Sequence, residues 1–298
     1  MKKKVSLVLS GGGARGIAHI GVIEELERQG FEIQSIAGTS MGALVGGVYG
    51  SGKMQAYKEW IYKLNKYEVF KLIDFSLSKQ GFIKGDRVFN KMKEFIPDMN
   101  IEDLKIHYTA TATDILNKNE VVFTKGSIYD AIRASIAIPS VVTPVKTENS
   151  LLVDGGVVNN IPINHVKRIK DDILVVVNVN ANVPLYKPKI TSKEKAQRKS
   201  IYSKKMNEFQ GHLDKCFPKE KNNELGYITI LNTTIEMLMN QLAMVTIEKT
   251  PPDILINISH SSCSAFDFYK AEELVEIGRD VAAQSIANYK ESLKQMKV

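Results

Sequence analysis

Ser40 sits in the pentapeptide Gly38-Thr39-Ser40-Met41-Gly42, a G-x-S-x-G between a strand-like run at 33–37 and small, apolar residues at helical spacing over 41–49. In that context the pattern reads as a nucleophile elbow, a serine held on a sharp strand-to-helix turn. The reason for the glycines, Gly38 and Gly42, is steric: neighbours without Cβ permit the turn and leave the Oγ open to substrate. A serine so placed also lies at a helix N-terminus, where unpaired N–H groups and the positive dipole end favour an oxyanion.

Upstream, Gly11, Gly13 and Gly16 spell G-x-G-x-x-G after an apolar strand at 5–9 and before a helix at 17–29. That is the fingerprint of a dinucleotide loop, which also requires an acidic residue about 20 positions on, at the end of the second strand, to hold the ribose. Here the second strand runs into the serine pentapeptide, and no such acid is present. The loop then has another use. The backbone N–H groups of Gly11, Gly12, Gly13, Ala14, Arg15 and Gly16 can close around the developing oxygen anion of a tetrahedral intermediate, with the Met41 N–H as a further donor. Arg15 has two readings, a positive charge beside that anion or a brace that hydrogen-bonds carbonyls of the loop.

A serine hydroxyl needs a base. The candidates are five histidines (His19, His107, His165, His212, His260) and Asp154, which follows a short apolar strand at 151–153 and precedes Gly155 and Gly156. An Asp-Gly pair is most simply an Asx-type turn. An ordinary aspartate, with a pKa of about 3.9, is a weak base and would need burial and a direct hydrogen bond to serve serine. His19 reads as a packing or helix-surface residue; His165, one helix beyond Asp154, is the alternative base of a rival triad.

The segments SGGGARG at 10–16, GTSMG at 38–42 and DGG at 154–156, in that order and separation, resemble the patatin-like phospholipase family, its bacterial members in particular. ATDI at 112–115, RASIAIPSVVTPV at 133–145 and VVNNIP at 157–162 are similar to segments that the family carries between and after those motifs. The likeness covers residues 5–180 well and echoes weakly at 261–280; residues 185–250 match nothing in it. It implies a Ser–Asp dyad without histidine: Ser40 as nucleophile, Asp154 as base, and the loop of Gly11 to Gly16 as oxyanion hole. It further implies phospholipid or lysophospholipid acyl esters as substrate and no metal or organic cofactor. Met41 stands where family members often have a smaller residue, which would narrow the acyl pocket.

The elements that must position these groups alternate. Strands are expected at 5–9, 33–37, 107–114 with 121–124 as a hairpin, 151–153, 173–179 and 253–258, and helices at 17–29, 41–49, 57–70, 87–95, 128–136, 162–169, 227–247 and 268–293. Such alternation predicts an α/β fold: three layers, α/β/α, with a mainly parallel central sheet. We expect one domain over 1–298, with 185–250 as a basic and helical insertion or lid.

The 298 residues are 44% apolar, as in an ordinary globular protein, and no run of about 18 uncharged apolar residues occurs. The apolar run after Lys2, Lys3 and Lys4 is too short for a signal peptide. The two cysteines, Cys216 and Cys263, have neither a metal-ligand spacing nor a disulfide framework, so a cytoplasmic setting is expected. Of the net charge of +7, an excess of equal size lies in 187–223, which has eleven Lys/Arg and four acids. That stretch reads either as a solvated insertion or as a peripheral contact for anionic membrane; no nucleic-acid partner is expected, and the oligomeric state stays open. Beside the hydrolase stand a catalytically silent lipid-binding scaffold and a dinucleotide-binding oxidoreductase.

Overall fold

The computed structural model describes residues 3–74, 83–186 and 227–295. The chain divides into two compact units, Met1–Tyr186 with Met239–Val298, and Lys187–Leu238. Of the second, only residues 227–238 are described, the start of a long helix. The basic stretch at 187–223 lies outside the described residues.

The first unit is built on one sheet. Its centre is five parallel neighbours in the order β3 (His107–Asp114), β2 (Phe31–Thr39), β1 (Lys3–Leu9), β7 (Ile173–Ala181) and β8 (Ile254–Ser259). β1 and β7 read as near-continuous apolar runs because both of their faces are covered, as expected for central parallel strands. Val5, Leu7 and Leu9 point into a large cluster with α1 (Ala18–Arg28), α2 (Met41–Gly50) and the last helix, α8 (Ala271–Gln295). Val8 points the other way, into a cluster of Ala37, Ile161, Ile163, Val166, Val176 and two residues of α7 (Tyr227–Lys249), Ala243 and Ile247.

At one edge the sheet turns antiparallel: β4 (Asn119–Phe123) and β6 (Leu151–Asp154) pair with β3, and the short β5 (Val145–Lys146) pairs with β6. This register sets the site. Thr39, the last residue of β2, pairs with Thr111, while Asp154, the last residue of β6, arrives from the opposite direction and pairs with Ala112. β3 thus delivers the residue after Thr39, which is Ser40, and Asp154 to one step of its own length.

Two expected helices differ. The stretch 57–70 is broken into α3 (Met54–Tyr62) and α4 (Lys66–Leu72), because Asn65 caps the second helix, its Oδ1 accepting the N–H groups of Tyr67 and Glu68 at 2.9 and 3.0 Å. The stretch 162–169 forms only a short turn, Ile163–His165. Val166 beyond it is extended, and the hydroxyls of Ser6 and Ser35 hold the Lys167 carbonyl at 3.0 and 2.6 Å. α5 (Asp86–Lys93) and α6 (Ile128–Ser135) stand near their expected places.

Candidate active site

Ser40 has φ 54° and ψ −122°, a conformation that L-residues avoid, and stands directly before α2. The glycines around it have steric jobs that the structure makes concrete. A Cβ on Gly42 would lie 2.2 Å from the Leu9 carbonyl oxygen, and one on Gly38 would lie 2.5 Å from the Gly42 backbone. The elbow is therefore pressed against β1. Its amide is also held: the Ser40 N–H donates to Ser135 Oγ at 2.8 Å, and that hydroxyl donates to the Thr111 carbonyl at 2.6 Å.

Beside Asp154 stands the Ser40 hydroxyl, and the Asp154 carboxylate accepts the Gly156 N–H at 2.8 Å. That bond is the Asx-type turn, so the turn coexists with the contact to serine. Both side chains are buried, Ser40 5% and Asp154 4% exposed. Burial penalises the carboxylate and pushes its pKa up to about 6, against the opposing pull of the Ser40 hydroxyl and the Gly156 N–H. A carboxylate poised there is a competent proton acceptor near neutrality.

The glycine loop lies beside this pair. A Cβ on Gly11 would stand 3.0 Å from Ser40 Cβ, and one on Gly16 would stand 2.6 Å from Met41 Cβ. The loop is braced through groups that the sequence had offered as oxyanion donors. The Gly11 N–H donates to the Asn160 carbonyl at 3.3 Å, and the Ala14 N–H to the Ala265 carbonyl at 2.8 Å. Among the described residues no acceptor meets the N–H groups of Gly12 or Gly13. Of its two readings, Arg15 takes the brace: its Nε donates to Asn180 Oδ1 at 3.0 Å and its guanidinium to the Cys263 carbonyl at 3.3 Å, while Asn180 Nδ2 donates to the Gly11 carbonyl at 2.7 Å.

His19 is wholly buried, not at a helix surface. Its Nε2 donates to the Ser10 carbonyl at 2.8 Å, anchoring the start of the loop, and burial lowers its pKa to about 4. His165 is turned to Glu120, Nε2 to Oε2 at 2.8 Å, within a cluster that includes Asn159 and Asn164. His212 lies outside the described residues.

Three polar residues of this neighbourhood carried no functional signal in isolation. Ser135 and Asn160 lie within segments that the family resemblance had marked without a role, and Asn180 stands next to the last residue of an apolar strand, where nothing distinguishes it. The Asn160 side chain is buried, with neither amide atom partnered among the described residues, and its Oδ1 faces both Gly11 and Gly156.

Residues 7–167 match the family model of the patatin-like phospholipases, more than half of the chain. The chain belongs to the patatin-like phospholipase family. It is at that level a lipid acyl hydrolase, with an α/β fold. An NTE family protein of Mycobacterium bovis is 29% identical over 95% of this chain and 91% of its own length. Lysophospholipase NTE1 of Candida glabrata is 25% identical over 93% of this chain, which spans 16% of that protein, and the neuropathy target esterase sws of Drosophila persimilis is 37% identical over 53% of this chain and 11% of its own. Among solved structures, VipD of Legionella pneumophila covers 97% of this chain and 67% of its own, at 13% identity and a TM-score of 0.49. Among the described residues no helix is long and apolar enough to cross a membrane.

Proposed function

We propose that this chain hydrolyses the carboxylic esters of phospholipids or lysophospholipids through a Ser40–Asp154 dyad. The observation that carries the reading is the buried pairing of the Ser40 hydroxyl with the Asp154 carboxylate, set beside a loop whose Gly12 and Gly13 N–H groups meet no acceptor among the described residues. In the first half-reaction Asp154 takes the hydroxyl proton as Ser40 Oγ attacks the ester carbonyl carbon. The carbonyl oxygen, now an anion, is met by the Gly12 and Gly13 N–H groups, with the Met41 N–H at the start of α2 as a further donor. Collapse expels the alcohol, which takes the proton from Asp154 and leaves an acyl group on Ser40. In the second half Asp154 takes a proton from water, which attacks the acyl carbonyl carbon; fatty acid leaves and the serine hydroxyl is restored.

The Ser40 N–H does not serve the anion in this scheme, because Ser135 holds it. Within the loop of Gly11 to Gly16, the Gly11 and Ala14 N–H groups are likewise taken, by the Asn160 and Ala265 carbonyls.

The reading places the enzyme in the cytoplasm, with 187–223 touching anionic membrane, where each basic residue near such a surface contributes about 1 kcal/mol. It also keeps one catalytic domain over 1–298, with 185–250 as an insertion or lid within it. Labelling by a fluorophosphonate probe, with turnover of p-nitrophenyl esters and of lysophospholipid, tests the dyad. Ser40→Ala should lose label and turnover, and Asp154→Asn should lose nearly all turnover because the amide cannot accept the proton. Turnover surviving in folded Ser40→Ala would put the nucleophile elsewhere.

A further inference from the structure

We propose that Ser135 is a positioning residue for this reaction: its hydroxyl sets the Ser40 side chain on Asp154. The inference rests on the dyad reading above. Ser135 is the last residue of α6 and wholly buried. Its hydroxyl accepts the Ser40 N–H at 2.8 Å and donates to the Thr111 carbonyl at 2.6 Å, so that both capacities of one small group are used. Two residues on, the Ala137 carbonyl accepts the Asp154 N–H at 2.9 Å. A single turn of chain therefore grips the backbone of the nucleophile by a hydroxyl and the backbone of the base by a carbonyl.

Both grips are tied to β3. The Thr111 carbonyl to which Ser135 is tied is the one that Gly155 passes most closely, at 2.2 Å from where a Cβ would stand. Gly155 follows Asp154, and the Thr113 hydroxyl donates to the Asp154 carbonyl at 3.1 Å. β3, the end of α6 and the Asp154 loop thus form one hydrogen-bonded frame, and Ser135 is its only side chain that reaches the elbow's amide among the described residues.

The elbow needs that bond for a local reason. Ser40 holds a positive φ, and its N–H points away from solvent. Deprived of the Ser135 oxygen, a buried donor in a strained turn relaxes by rotating its peptide toward another acceptor. The Oγ moves with it. Displacement of a reacting atom by about 1 Å costs on the order of 10²-fold in rate.

The test separates positioning from mere support of the fold. The Ser40 hydroxyl is one of two groups that hold the Asp154 pKa down against burial, so displacing it raises that pKa. Ser135→Ala should lower kcat by about 10²-fold with KM little changed. Its acid limb should move above the wild-type position, and Ser135→Thr, which keeps the hydroxyl, should restore both. If Ser135→Ala fails to fold, Ser135→Cys keeps the bulk but is a poor acceptor, and should show the same limb shift with a smaller rate loss. Wild-type kcat and an unmoved limb in folded Ser135→Ala or Ser135→Cys would overturn the proposal, as would a Thr variant no better than Ala at equal thermal stability. Ser40→Ala and Asp154→Asn run in parallel: if they keep turnover the dyad fails, and if they are dead while the Ser135 variants behave as wild type, only the positioning role fails.

Discussion

Asp154 stands beside the Ser40 hydroxyl with both side chains almost wholly out of water, and that burial pushes its pKa up to about 6. If Asp154 is the base, turnover requires the carboxylate. We predict that kcat/KM for a short ester falls tenfold per pH unit below about 6 and is level above it, until other groups titrate. A pH–rate profile with no acid limb between pH 5 and 7 would remove Asp154 from the role.

The same shift bears on stability. The Asp154 carboxyl binds its proton more tightly when folded than at its ordinary value of 3.8, so the folded state loses stability as pH rises from about 4 to about 6, and the loss is complete above that. Two pKa units correspond to about 3 kcal/mol. His19 runs the other way: its folded pKa of about 4 lies below 6.5, so its contribution is full above 6.5 and lost as pH falls toward 4. Asp154→Asn should therefore gain stability relative to the wild type as pH is raised from 4 to 7, by up to about 3 kcal/mol in urea unfolding. A constant difference across that range would contradict it.

Substituting the glycine loop should act through geometry. Gly13→Ala forces a side chain onto a left-handed backbone (φ 56°) and within 2.6 Å of the Ala265 carbonyl oxygen. Displacing one oxyanion donor costs about 10²–10³ in rate, so kcat should drop by that factor. Gly30→Ala, also at positive φ but with nothing within 4 Å, should leave kcat unchanged at some cost in stability. Equal kcat in the two variants would mean that the loop does not serve the anion.

Histidine replacement distinguishes the dyad from a triad. His165 faces Glu120, and its loss should leave most of the turnover, whereas His19→Ala should slow the enzyme by releasing the Ser10 carbonyl and the loop that follows it. A dead but folded His165→Ala would restore the triad.

Much of this was readable in the chain because its signals are local. The elbow, the glycine loop and the Asp-Gly-Gly step are short segments in which small residues must meet backbone, and the alternation of strands and helices follows from periodicity alone. What escaped depends on residues distant in sequence. Ser135 matters because α6 ends beside an elbow 95 positions away, and Asn180 because Arg15, 165 positions away, needs an acceptor. The helix expected at 162–169 was lost to the same cause, two serines on β1 and β2 whose hydroxyls hold Lys167. Arg15 was offered both of its roles by sequence, and the positions of Asn180 and the Cys263 carbonyl separate them.

The positive φ at Ser40 also speaks to inheritance. A nucleophile in that conformation is a standing burden on the fold, borne for as long as turnover is selected. Ser40→Gly and Ser40→Ala both lose the hydroxyl, and they differ in whether a Cβ must still occupy the strained turn. Glycine should be the more stable of the two by about 1 kcal/mol, even after its greater freedom in the unfolded chain is counted. Thermal unfolding of the pair measures this, and an alanine variant at least as stable as glycine would show the turn to be unstrained. A descendant of this gene released from catalysis would then drift toward glycine at position 40, leaving a silent copy sturdier than its working parent.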